Sequence, residues 1–133
     1  MLSEFSVKTD KQGIINITEK VQEAVNKSKN RSGIAVVFTK HTTCAVTIAE
    51  HEPGLQKDIP RTLDTLVPAG NYGHDKTRSE KNAPAHIKSA IISPSLTVPF
   101  ENRKLLLGTW QSIVLAEFDV PRTRTVLVKV VGD

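Results

Sequence analysis

From Ser93 to the C-terminus no segment shows helical periodicity. Apolar residues recur at strand spacing through Leu96–Phe100, Leu105–Gly108, Thr109–Phe118 and Arg124–Val131, with turns at Glu101-Asn102-Arg103 and Asp119-Val120-Pro121. Parallel neighbours require a crossover of a dozen or more residues, usually a helix. This stretch has no room for one, so its strands must run largely antiparallel. Helical signals fall earlier. Thr18 is placed to cap a helix with Val21, Ala24 and Val25 on one side and Glu19, Lys20, Glu23 and Lys27 elsewhere. Leu55, Ile59, Leu63 and Leu66 are spaced four, four and three apart, and Pro60 must kink that helix or mark its first turn. Asn82-Ala83-Pro84 opens a short helix through His86 to Ile91. About three helices among about seven strands predict an α+β fold rather than a doubly wound one, in one domain over residues 1–133.

Phe5 and Val7 alternate with polar neighbours and precede Gly13–Ile17, which reads as a strand pair. Gly33–Thr39 reads as a buried strand. In Thr43–Ile48 the residues Cys44, Val46 and Ile48 share one face, and Thr43, Ala45 and Thr47 share the other. The polar stretch from Ala69 to Lys81 is long enough to be either functional or disordered.

At 38% hydrophobic residues the chain can build a core. Lys and Arg number 18 against 14 acids, for a net charge of +4. The charges alternate and aromatics are only 5%, so stacking on nucleic acid has little to work with, while small anions are accommodated. Cys44 is the one cysteine, which excludes a disulfide scaffold. No run approaches the roughly 18 apolar residues of a membrane span, and the first residues lack a basic region followed by an apolar one. The expectation is a soluble cytoplasmic protein with no nucleic-acid or membrane partner.

The histidines are His41, His51, His74 and His86, and none lies at the spacing of a helical zinc motif. Scattered histidines are more often surface residues. His41, however, ends a strand, His74 lies in the long polar loop and His86 in the first turn of a helix, where sites are assembled. His51, between two glutamates, reads as a solvated turn residue. Imidazole suits zinc-like metals and general-base work, and three converging rings would leave a coordination position open. A second cluster runs from Glu117 to Arg124. Its Asp119-Val120-Pro121 turn reads as a hairpin that brings Glu117 or Asp119 to Arg122, with a laced surface hairpin as the bland alternative. Trp110, beside Gln111 and after Gly108, reads as core filler or as a pocket wall. Phosphate-loop and nucleophile-elbow motifs are absent, and Cys44 within an apolar alternation reads as an inert buried thiol.

Ser95-Leu96-Thr97-Val98 followed by Gly108-Thr109-Trp110-Gln111-Ser112-Ile113 resembles the signature of the YjbQ-like family. His41-Thr42-Thr43, Glu50, Asp58, Leu66-Val67-Pro68, Tyr72-Gly73-His74, Asn82-Ala83-Pro84-Ala85-His86, Glu117-Phe118-Asp119 and Pro121-Arg122 extend the likeness along the chain. The resemblance implies a compact β-sandwich-like α+β fold, a homotrimer and a histidine-lined pocket. It also implies a thiamine-phosphate synthase activity of secondary character. Carried onto the matched positions, it implies His41, His74, His86 and Glu117 as catalytic groups, with the three histidines as ligands of a divalent metal, zinc favoured. Thr42, Asn82, Trp110, Gln111, Asp119 and Arg122 are then the implied contacts to a small anionic or phosphorylated metabolite. Two positions depart from the family's pattern. Arg103 replaces the glycine of an Asn-Gly turn, so that turn either leaves the type I′ form or holds Arg103 left-handed. Val120 replaces a glycine in the acid–arginine turn, where a β-branched residue resists positive φ.

The enzyme reading joins a pyrimidine diphosphate to a thiazole phosphate, releasing diphosphate onto cations such as Lys40, Arg122 and Arg124. No carboxylate cluster for magnesium accompanies them. The rival reading is a non-catalytic trimer that binds a metal or a small anion.

Overall fold

The computed structural model describes residues 1–133. Its strands are β1 (Leu2–Thr9), β2 (Gly13–Asn16), β3 (Gly33–Thr39), β4 (Cys44–Ala49), β5 (Ser95–Glu101), β6 (Lys104–Leu105), β7 (Ser112–Glu117) and β8 (Arg122–Gly132). The helices are α1 (Thr18–Ser28), α2 (Pro53–Leu66), α3 (Gly73–Thr77) and α4 (Ala83–Ile92). Every strand pairing is antiparallel, in a five-stranded sheet ordered β1-β8-β3-β5-β6 and a three-stranded sheet ordered β2-β7-β4. The α+β sandwich is therefore as expected, with α3 as a fourth, short helix inside the polar stretch Ala69–Lys81.

The alternation in β4 places the layers. Cys44 and Val46 enter the main core between the sheets, with Val37, Val98, Val126 and Val128 from the larger sheet and Ile113 and Leu115 from the smaller. Val21, Ala24 and Val25 of α1 close the edge of that core. Ala45 points the other way, into a second core with Ala85, Val114, Ala116 and Phe118, against which Ile59 and Leu63 of α2 pack. Period-two alternation thus assigns each strand residue to one of two apolar layers.

Several local expectations are corrected. β1 and β2 do not pair with each other: β1 lies along β8 and β2 along β7, in different sheets. The first turn of α2 is Pro53, capped by the Glu52 carboxylate, which accepts from the Gly54 and Leu55 N–H groups; Pro60 lies inside the helix. Thr18 is inside α1, and its hydroxyl accepts from the Ile113 N–H. The strand expected over Leu105–Gly108 ends at Leu105, and residues 106–111 form a loop. At the β5–β6 turn Asn102 (φ 49°) and Arg103 (φ 66°) are both left-handed, so the turn keeps the type I′ form with arginine in the glycine position. The Arg103 carbonyl accepts from Gln22 Nε2 at 2.7 Å and its N–H donates to the Arg31 carbonyl, which ties this turn to α1.

Candidate functional site

The ends of β3 and β4, the start of β8 and the segment around α3 and α4 surround a cavity of about 1020 Å³. Its wall carries Lys40, His41, Thr42, Thr43, His74, Arg78, Glu80, Asn82, His86, Arg122 and Arg124, and no hydrophobic residue. The polar loop between α2 and α4 supplies His74, Arg78 and Glu80, so this long loop is part of the site's wall.

His41, His74 and His86 all face this one cavity. They do not form a uniform triad. The His74 and His86 rings stand 4.6 Å apart between centroids, tilted by 44°. His74 Nδ1 is hydrogen-bonded to Asp75 Oδ1 at 3.0 Å, and the same oxygen accepts from the Ala83 N–H at the start of α4. The bond to His74, followed by that backbone bond, holds the Asp75 carboxyl below the usual aspartate range. This carboxylate orients the ring and leaves Nε2 available. His86 makes no hydrogen bond through its ring. His41 is committed elsewhere: its Nε2 accepts the Thr125 N–H at 3.0 Å, so in the neutral ring the proton sits on Nδ1. Burial, followed by the nearby Arg124 charge, lowers the His41 pKa below 6.5. No three His, Cys, Asp or Glu side chains gather closely enough to hold a metal ion. His74 and His86 are the two imidazoles that stand side by side, and His41 does not join them.

Glu117 and Arg122 do not meet as a hairpin would bring them. β7 and β8 belong to different sheets, and residues 118–121, with a cis Val120–Pro121 bond, cross between them. Val120 does not adopt positive φ. Glu117 is fully buried and pairs with Arg124, Oε1 with Nε at 2.7 Å and Oε2 with Nη2 at 2.5 Å. The Thr9 hydroxyl donates to Oε1, and the N–H groups of Phe118 and Asp119 donate to Oε2. Burial alone would raise the Glu117 carboxyl; the bonds from Arg124, Thr9 and the backbone outweigh it and hold it below the ordinary range. Arg124 Nη2 also donates to the Thr43 hydroxyl and carbonyl, so the pair fixes the cavity's back wall across the two sheets. Glu117 does not line the cavity.

Arg122 instead donates through Nη2 to Asp119 Oδ2 at 2.6 Å and to Glu80 Oε2 at 3.0 Å. Burial opposes ionisation of Asp119, but bonds from Arg122 and Asn82 lower its pKa overall. Asn82 Nδ2 bridges the same two acids, while its Oδ1 is buried without a partner. Thr42 lies on the wall. Trp110 and Gln111 do not. Trp110 is 73% exposed, which contradicts its reading as core filler, and Gln111 Oε1 accepts from the Gly108 N–H in the same loop. That loop precedes β7, whose other end, Glu117, backs the cavity, so about 20 Å of strand separates them. Arg78 and Glu80 escaped sequence reasoning because only the fold of an irregular segment brings them to the wall. Lys40, beside His41, carried a readable signal.

Fold and site together define a small two-sheet α+β sandwich with a cationic, histidine-bearing cavity at one end of its sheets. Residues 3–133 match the UPF0047 protein YjbQ-like family, and the chain belongs to it. A UPF0047 protein of Archaeoglobus fulgidus is 47% identical over 128 residues, covering 95% of this chain and 98% of the relative. One from Methanocaldococcus jannaschii is 41% identical over 136 residues, covering 100% and 96%. Among crystal structures, a hypothetical protein from Aeropyrum pernix K1 superposes with a TM-score of 0.94 at 36% identity, covering 100% of this chain and 99% of that one. A YjbQ/UPF0047 family protein from Clostridium acetobutylicum gives 0.90 at 42%, covering 97% and 99%. No helix is long and apolar enough to cross a membrane.

Proposed function

We propose that the protein is a small-molecule enzyme whose cavity takes a phosphorylated metabolite. The observation that carries this reading is the wall: four cationic side chains and three imidazoles face a single carboxylate, Glu80, with no apolar residue among them. Arg124 is consumed by Glu117, whereas Lys40 and Arg78 form no salt bridge and are free to meet an anion. His74, oriented by Asp75, and the adjacent His86 are the groups for proton transfer at a bound phosphate ester. The same two rings would hold a divalent metal, zinc by donor type, which would supply Lewis-acid polarisation of a phosphoryl oxygen. His41, with Nε2 occupied, serves as a wall donor through Nδ1.

Thiamine-phosphate formation is the reaction to assay first, because its diphosphate leaving group suits these cations. The lack of a magnesium-binding carboxylate cluster marks it as a secondary activity. Ile34, Phe38, Val131 and Leu2 are exposed on the outer face of the larger sheet, and covering them is the physical reason to propose a homotrimer. Light scattering should then give three times the 14.6 kDa chain mass. A reducing compartment, the cytoplasm, is consistent with the free buried Cys44. The test of function is a metabolite-retention screen on purified protein with its metal content measured. Retention of phosphorylated compounds is expected; retention of neutral compounds alone would contradict the reading.

A further inference from the structure

Glu80 is the one acid on a wall of bases, and it stands where it meets Arg122. Its side chain is 63% exposed, and its other side-chain partner is Asn82 Nδ2 at 3.2 Å. Asp119, the second carboxylate on Arg122, is only 21% exposed and is fixed by Asn82 Nδ2 at 2.9 Å. The two acids on one guanidinium therefore differ in kind. Asp119 is anchored; Glu80 is held by exposed contacts that water can replace at little cost.

We propose that Glu80 is a built-in placeholder: its carboxylate occupies the position of a ligand's phosphate group at Arg122 and leaves when that group arrives. This rests on the phosphorylated-ligand reading above and names the position of one anionic group within it. A phosphate carries about −1.5 to −2 charge and three strong acceptor oxygens, against a single charge on the carboxylate. It therefore outcompetes Glu80 for Arg122 while also reaching the unpaired Lys40 and Arg78. Guanidinium and phosphate meet in a planar fork, and Arg122 uses only Nη2 for its two acids, leaving Nε and Nη1 as unspent donors. With the ligand absent, Glu80 adds a second negative charge to the one Asp119 already sets against Arg122, and so offsets the neighbouring unpaired cations.

The experiment is calorimetric titration of inorganic diphosphate into the full chain and three variants at fixed ionic strength. Glu80→Gln should bind about tenfold more tightly than the parent. Arg122→Gln should bind more weakly, and adding Glu80→Gln to it should recover nothing. A general charge effect would survive the loss of Arg122, so a gain that persists in the double variant overturns the placeholder. Parental binding that Glu80→Gln leaves unchanged or weakens also overturns it, with the phosphorylated-ligand reading intact. Binding by Glu80→Gln alone supports both, and no binding by either protein ends both. Melting curves confirm folding of each variant, which the exposure of Glu80 favours.

Discussion

Arg122 and Arg124 stand two residues apart at the start of β8, and each pairs with carboxylates. Arg124 is 3% exposed and its partner Glu117 is fully buried; Arg122 is 40% exposed and shares its partners with solvent. Burial separates their roles. A buried ion pair, once made, is costly to break because either partner alone is an uncompensated charge. An exposed pair exchanges its partner readily. One end of the strand thus holds both a fixed wall that locks the two sheets together and a replaceable contact facing the cavity. The same side-chain chemistry is locked in one case and exchangeable in the other.

Removing the buried acid should have the largest effect. Glu117→Gln leaves Arg124 without its counter-charge and should cost about 3–5 kcal/mol in chemical denaturation. A loss under about 1 kcal/mol would erase the distinction between the two arginines. The pair also sets the acid limit. The folded Glu117 pKa is depressed. Its contribution to stability is therefore full above the ordinary carboxylate range near 4.3 and is lost as pH falls through the folded value. Melting temperature should drop steeply below about pH 4 in the parent and less steeply in Glu117→Gln, whose loss is already taken.

Arg122→Gln should do the opposite of Glu117→Gln. Stability should change by less than about 1 kcal/mol, while diphosphate binding weakens by about tenfold. Cys44→Ser should cost about 1 kcal/mol through a hydroxyl placed in the main core, with Thr39 as a neighbour, and leave turnover intact. Lost turnover at unchanged stability would make the thiol a reactant. The smallest effect belongs to His41, whose ring should titrate by NMR below 6.5. Because folding favours its neutral form, the stability it lends is full above 6.5 and declines as pH falls below. Titration at or above 6.5 would mean that burial and the Arg124 charge do not govern this ring.

Much of the fold was legible because period two is unforgiving. Cys44 and Val46 on one side and Ala45 on the other declared the two opposed faces of β4, and the helix-free run after Ser93 enforced antiparallel pairing; that the Ala45 face also meets an apolar core came from the fold. Strand partners were not legible. β1 adjoins β2 in sequence, yet lies at the edge of the larger sheet with β8 as its one neighbour, while β2 joins the other sheet. That failure carried into the site. With β7 and β8 taken as one hairpin, Glu117 or Asp119 belonged with Arg122; as strands of two sheets, they bring Glu117 to Arg124 and leave Asp119 as the partner of Arg122. The three histidines were recognisable as loop and terminus residues and do share a cavity. Their unequal hydrogen bonding, with His41 occupied by Thr125 and His74 by Asp75, depends on backbone positions no spacing encodes. Trp110 and Gln111 belong to a loop at the far end of β7, where sequence proximity to the strand gave no clue to distance from the cavity.

On the proposed function, this end of the sandwich receives a phosphate group on its exchangeable cations while the buried pair stays fixed. A crystal structure of the protein grown with inorganic diphosphate tests it most directly. Density in contact with Arg122 and at least one of Lys40 and Arg78 is expected, with Glu80 turned to solvent and the Arg124–Glu117 pair unmoved. A cavity left empty at saturating diphosphate, or the anion seated on Arg124 with Glu117 displaced, would contradict it.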